Sequence, residues 1–280
     1  MSTGGVMLVA VQHTGGARGD GLTGAEAKVA QWMRTWTGDF GLPGVTVFNA
    51  VTSTGMADAL VLSPYGCVVI EIDGFTRRQD GALHAPADGA WQVDGQPAAL
   101  HSQNPLDLCS ANVKAVRETL RAAGITTGTV PGLVVLLPTP GARVHLADGA
   151  ETDGVVVVLA PHQKPLRQYF HTLCRSQKVW DANTVAAAAR ALKLTEHVPN
   201  VLELYQHGIP ETIYSPQDAQ EPAPPPKPAP APPTPVAVAP RRGGTTRLVL
   251  VIALGLLVLV GLAWLVGTVY DVFHGPTEVP

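Results

Sequence analysis

The sequence predicts an α/β domain with a central mixed sheet flanked by helices, and three observations carry that reading. Residues 56–73 form two short, largely apolar runs either side of Ser63-Pro64-Tyr65-Gly66, a loop with Pro and Gly where a turn requires them, which reads as a β-hairpin. Residues 133–137 and 155–160 are continuous apolar runs of the kind found in strands buried on both faces. Between and around these runs, apolar residues recur at helical spacing. With 280 residues the chain has room for one domain of ordinary size plus appendages.

The opening segment lacks a basic stretch, and its apolar run 6–11 is too short for a signal peptide. It is expected as a strand or a loosely ordered arm, with the arm covering residues 1–20. Residues 23–37 are expected as a helix, because Leu22, Val29, Met33 and Trp36 recur at helical spacing and Thr23-Gly24-Ala25-Glu26 has the form of a capping box. Glu26 has two readings. It folds back on the helix start as a cap, or it shares the face of Val29, Met33 and Trp36 and points inward, where a carboxylate needs a partner. Gly41-Leu42-Pro43-Gly44 then breaks the chain, and residues 45–51, rich in β-branched side chains, supply a first strand.

The hairpin follows, and its loop fixes its register. If Leu62 faces Cys67, Asp58 faces Glu71. Period-two alternation puts Asp58, Leu60 and Leu62 on one side of the first strand, with Cys67, Val69, Glu71 and Asp73 on the matching side of the second. Directly opposed residues have Cβ atoms only about 5 Å apart, and like charges there destabilise the pair. Three arrangements relieve this: a divalent cation, held by one or two carboxylates with waters and substrate phosphates; a register slip that sends one acid to solvent; or a shared proton that raises one pKa.

Beyond Asp73 lie Gly74, Arg77 and Arg78, then a polar, Gly-rich excursion in which Asp94-Gly95 follows Trp91-Gln92-Val93 as the turn of a second hairpin. Arg77 and Arg78 are either phosphate contacts or a solvated pair. Asn104-Pro105 opens a helix over 106–123 that ends at Gly124. After the buried strands, residues 167–173 and 181–194 read as helices. His171 and Cys174 have a spacing that zinc ligands use, but no second ligand pair lies nearby. No phosphate-cradling glycine loop, GxSxG elbow or HExxH is present.

Net charge is −3, so contact with nucleic acid requires a local patch and not a bulk field. Cys67, Cys109 and Cys174 are an odd number without a CxxC pair, which fits a reducing compartment. The head, taken as 21–215, gives way to a linker, 216–246, so dense in proline that neither helix nor sheet persists. As polyproline II, at roughly 3.1 Å per residue, it would hold the head up to about 90 Å from an anchor. Pro225-Pro226-Lys227-Pro228, within 222–235, also has the chemistry that proline-reading modules bind.

Residues 247–270 are expected as a transmembrane helix in the lipid bilayer, since 248–270 contains no charged residue and is long enough to cross a hydrocarbon core of about 30 Å. Trp264 and Tyr270 fall where interfacial aromatics gather. Arg241, Arg242 and Arg247 precede the span, and 271–280 has no Lys or Arg, which places a single-pass protein in the cell membrane with a cytoplasmic head and an external C-terminal tail.

Helix with Glu26, strand, strand with Asp58, strand with Glu71, helix, buried strand: this order resembles the NERD (nuclease-related) domain of the PD-(D/E)xK phosphodiesterase superfamily. The residues that carry the resemblance are Gly24-Ala25-Glu26-Ala27-Lys28-Val29-Ala30, Ala57-Asp58-Ala59-Leu60-Val61-Leu62, Gly66-Cys67-Val68-Val69-Ile70-Glu71, Trp91, and Asn104-Pro105-Leu106, over roughly 21–137. The resemblance implies a restriction-endonuclease-like αβββαβ core and phosphodiester hydrolysis of DNA, with Glu26, Asp58 and Glu71 holding Mg²⁺ or Mn²⁺. Two positions depart from the pattern. The superfamily's lysine, two residues after the hairpin glutamate, is Asp73, and the family's glutamine, four after the Asn of Asn-Pro, is Leu108. Asp73 joins the catalytic set as a further acid, and Arg77, Arg78 or Lys114 stand as candidate phosphate contacts that replace the lysine. The alternatives are an inactive nucleic-acid-binding or scaffold module tethered to the membrane, and an adaptor working through its proline tract.

Overall fold

The structure, a computed structural model, describes residues 6–12, 21–36, 41–147, 151–152 and 154–213. The linker 216–246, the apolar span 247–270 and the tail 271–280 lie outside the described residues. Among the described residues no helix is long and apolar enough to cross a membrane.

Strand β1 (Met7–Val11) is followed by helix α1 (Gly24–Arg34), then by β2 (Gly44–Thr52), β3 (Gly55–Ser63) and β4 (Gly66–Gly74). A small excursion holds β5 (Gly81–His84), β6 (Gln92–Val93) and β7 (Gln96–Pro97). Helix α2 (Pro105–Ala122) leads to β8 (Gly132–Leu137), β9 (Val144–Leu146), β10 (Glu151–Thr152) and β11 (Val155–Leu159). Helices α3 (Gln163–Leu173), α4 (Ala182–Ala191) and α5 (Val201–Gln206) close the described chain.

The main sheet is mixed, in the order β1-β2-β3-β4-β8-β11-β10. β2, β3 and β4 meander antiparallel, while β1 joins β2, and β8 joins both β4 and β11, in parallel. The fold is therefore the expected α/β arrangement around a central mixed sheet, with α1-β2-β3-β4-α2-β8 in sequence at its heart. The strand-or-arm segment at the N-terminus is an edge strand. β8 is buried along its whole length between two parallel neighbours, which is why its sequence is apolar without alternation.

Two apolar cores line the two faces of the sheet. Val29, Met33 and Trp36 from α1 and Leu166 and Phe170 from α3 pack on Phe48, Val61, Val68 and Ile70. Leu106, Cys109, Val113 and Val116 of α2 and Val185 of α4 pack with Val47, Leu60, Cys67 and Val69 on the other face. The close approach of α2 depends on Gly132, where a Cβ would stand 2.8 Å from Cys109 Sγ and from Val155 Cγ2. The excursion forms a second sheet, β7-β6-β5-β9, fastened to the α2 side by the buried Trp91. Asp94 and Gly95, both at positive φ, make the expected tight turn between β6 and β7.

Helix starts follow their caps. Asn104 Oδ1 accepts from Leu106 N at 3.0 Å ahead of Pro105, and Asp181 Oδ1 accepts from Thr184 N at 2.7 Å. α3 begins four residues before its expected start, because Pro165 falls in the first turn, where a missing N–H costs little.

Candidate active site

The expected hairpin register is present. Leu62 pairs with Cys67, and the ladder runs through Leu60–Val69 to Ala59–Ile70, where its pairing ends. Beyond that point β3 remains paired to β2 through Ala57, Met56 and Gly55. Strands β3 and β4 thus part company at Asp58. The register would have given the N–H of Ile72 to the carbonyl of Ala57. Instead it is taken by Asp58 Oδ2 at 2.6 Å, so a side chain closes the ladder that the backbone leaves open.

A backbone irregularity lies at the same level on the neighbouring strand β2, at Asn49. This residue stands opposite Asp58 in the β2–β3 register and has a φ of 57°, a left-handed conformation that asparagine tolerates inside an otherwise β-branched strand. The flip breaks period two, so that Val47 and Ala50 both face the α2 core.

Asp58 and Glu71 meet in the gap. They interact through a side-chain hydrogen bond, and both carboxyls are pushed up, Asp58 to about 6 and Glu71 to about 8. Burial is the main cause for each. The Ile72 N–H works against it at Asp58, whereas at Glu71 the neighbouring Asp58 charge adds to it. The pair as a whole therefore holds on to a proton that two separate, exposed carboxyls would release. No ion pair neutralises either acid among the described residues.

Glu71 is oriented by Asn112 on α2, whose Nδ2 donates to Glu71 Oε1 at 2.7 Å and to Met56 O at 3.3 Å. The Asn112 Oδ1 accepts from the hydroxyls of Thr52 and Thr54 at 2.8 and 3.1 Å. Asn112 is absent from the residues singled out by sequence, although its signal was there: it is the polar member of the α2 stripe Leu106, Cys109, Val113, Val116. Asn112→Ala is expected to cost about 1–3 kcal/mol in denaturant unfolding, because Glu71 and two threonines lose a buried partner.

Glu26 reaches the same cleft from the opposite face of the sheet. Its backbone N–H donates to Thr23 Oγ1 at 3.3 Å, and its Oε2 accepts from Thr23 N at 2.6 Å, which completes the capping box. Gly74 allows this approach, since a Cβ there would sit 3.3 Å from Ala25 Cβ. Both readings of Glu26 therefore hold: it caps the helix, and it is buried at the cleft rim, where its charge raises the pKa values of Asp58 and Glu71.

Asp73 is committed to the backbone. Its Oδ2 accepts from His101 N and Ser102 N, both at 3.0 Å, and its Oδ1 lies 2.8 Å from His101 Nδ1. The acid in the lysine's place therefore fastens a loop instead of pointing a charge at substrate.

These residues line a cleft of about 490 Å³ with Met56, His101 and Leu108 on its walls. Arg77, Arg78 and Lys114 are exposed and do not line it, and Arg78 pairs with Asp80 at 3.2 Å. Leu108, 47% exposed, gives the cleft an apolar wall where a glutamine would give it a donor.

Among the described residues no group of three or more His, Cys, Asp or Glu side chains is placed to hold a metal ion. Glu26 Oε2 accepts from Thr23 N at its own helix start, while Asp58 and Glu71 face each other across the gap. Asp58 and Glu71 would suit a hard divalent ion: a half-buried and a buried carboxyl group, adjacent and without a cationic neighbour, in a cleft roomy enough for waters as the remaining ligands. His171 and Cys174 likewise form no such group. The cysteines are free, and burial pushes the Cys67 thiol up to about 12, as befits an inert core residue.

Residues 22–137 match the family model of the nuclease-related domain, NERD. The match spans α1 through β8 and so contains every residue of the cleft described above. No curated protein and no solved structure matches the chain.

Proposed function

We propose that the head is a restriction-endonuclease-like domain that hydrolyses phosphodiester bonds of DNA, using Mg²⁺ or Mn²⁺ held by Asp58 and Glu71. The observation that carries this reading is the opposed pair of half-buried Asp58 and buried Glu71 at the point where β3 and β4 separate. Each carboxyl has one hydrogen-bond donor from the protein, but no cation faces the pair, and two adjacent acids are costly to hold there. A bound divalent ion would supply positive charge to a phosphate oxygen and acidify the attacking water. Asn112 holds Glu71 in place, the Asp58–Ile72 bond fixes the other carboxylate, and Glu26 adds negative field from the rim.

The full-length chain, purified in detergent, is expected to nick supercoiled plasmid with Mn²⁺ and to lose the activity in Glu71→Ala. An inert wild type across Mg²⁺ and Mn²⁺ would refute the enzymatic reading. A second reading is favoured by Asp73, because its commitment to a loop leaves the lysine's place without a cation. In that case the head is a binding module that retains nucleic acid in a salt-sensitive, divalent-dependent way without cleaving it.

We also propose that residues 247–270 anchor the chain in the cell membrane with the head in the cytoplasm, and that the linker 216–246 serves as a spacer, with 222–235 as a ligand for a proline-reading module in the alternative. Resistance of the chain to carbonate extraction, lost when 247–270 is deleted, is the expected result; full extraction of the intact chain would contradict it.

A further inference from the structure

His101 is placed in a way that loop anchoring does not require. Asp73 already receives the N–H groups of His101 and Ser102, which suffice to fasten the loop, yet the imidazole also turns back to set Nδ1 2.8 Å from Asp73 Oδ1. The Asp73 carboxylate can only accept, so in the neutral ring the contact favours the tautomer with hydrogen on Nδ1 and the lone pair on Nε2. The ring is not packed away, as its side chain is 74% exposed and lines the cleft with Glu71 and Asp58. His101 is also the one basic side chain among the described residues lining that cleft.

We infer that His101, oriented by Asp73, is the general base of the phosphodiesterase reaction and takes over the water-activating part of the missing lysine. The inference rests on the hydrolytic reading above. Nε2 accepts a proton from the attacking water, the water oxygen forms a bond to phosphorus, and the opposite P–O bond breaks. The departing oxygen keeps the electron pair and is protonated by solvent. Asp73 is a positioning residue in this scheme: it fixes the tautomer and the ring plane, and does not touch the substrate.

The test uses the full-length chain with Mn²⁺ and plasmid. His101→Ala is expected to lower kcat by at least about 100-fold, the lower end of a general-base contribution, with Mn²⁺ affinity unchanged, and added imidazole is expected to restore part of the rate. In the metal-free chain, ¹⁵N spectra of the ring should show His101 as the Nδ1–H tautomer in wild type and a changed tautomer mixture in Asp73→Asn. His101→Ala turning over within about twofold of wild type, or a loss that imidazole does not relieve, would overturn the role of His101 while leaving the metal-dependent reading intact. Ring signals indifferent to Asp73→Asn would overturn the positioning role. A wild type without cleavage would refute the hydrolytic reading and this inference with it.

Discussion

In the absence of divalent ions, the folded chain is expected to lose stability as pH rises from about 4 to about 8. The sign follows from the pair in the cleft. Asp58 and Glu71 have ordinary values of 3.8 and 4.5, and the fold raises them to about 6 and about 8, chiefly by burial. Between those limits the folded state binds more protons than the unfolded state, so stability falls with pH. The contribution is fully present below about 4, where both carboxyls are protonated in either state. It is lost as pH passes through about 6 and then about 8. Its size is on the order of a few kcal/mol, because each tenfold gain in proton affinity on folding corresponds to about 1.4 kcal/mol. Denaturant melts of the metal-free chain against pH read it directly. Saturating Mn²⁺ should flatten the decline, since ion binding replaces the shared proton and favours the fold.

Glu71→Gln is expected to remove the part of this decline that runs up to pH about 8, and the response to metal with it, leaving the smaller part due to the burial of Asp58. A glutamine amide donates to Asp58 as the protonated Glu71 does, and its oxygen still accepts from Asn112 Nδ2, so the geometry at the gap survives. Without metal the variant should be more stable than wild type above pH about 8, by a few kcal/mol, and nearly equal to it below about 4. With metal the order reverses, because wild type gains from the ion and the variant does not. Mn²⁺ affinity should fall by more than the about 10–100-fold typical of losing an outer partner, and plasmid nicking should vanish. A variant that gains stability and still binds Mn²⁺ normally would place the ion elsewhere.

Much of this site was legible in the sequence, and for identifiable reasons. Ser63-Pro64-Tyr65-Gly66 sets the hairpin loop, and the loop sets the register, so Asp58 and Glu71 could be opposed by position alone. The capping box at Thr23–Glu26 and the Asn104-Pro105 helix start were equally local. What escaped depends on contacts remote in sequence. Nothing in Val-Phe-Asn-Ala announces that Asn49 adopts positive φ. The partners of Asp73 lie 28 and 29 residues away in a loop without periodicity, so nothing in the sequence shows that its carboxylate also fastens that loop. The strands β5, β6, β7 and β10 are two to four residues long, too short for alternation to register.

Whether Asp58 and Glu71 together hold a divalent cation decides between the enzymatic head and an inert one. Calorimetric titration of Mn²⁺ into the full-length chain at pH about 8 tests it most directly, with Asp58→Asn as the comparison. One ion per chain in wild type, accompanied by proton release and missing from Asp58→Asn, is the predicted result. Equal binding by both proteins, or no binding by wild type, would contradict it.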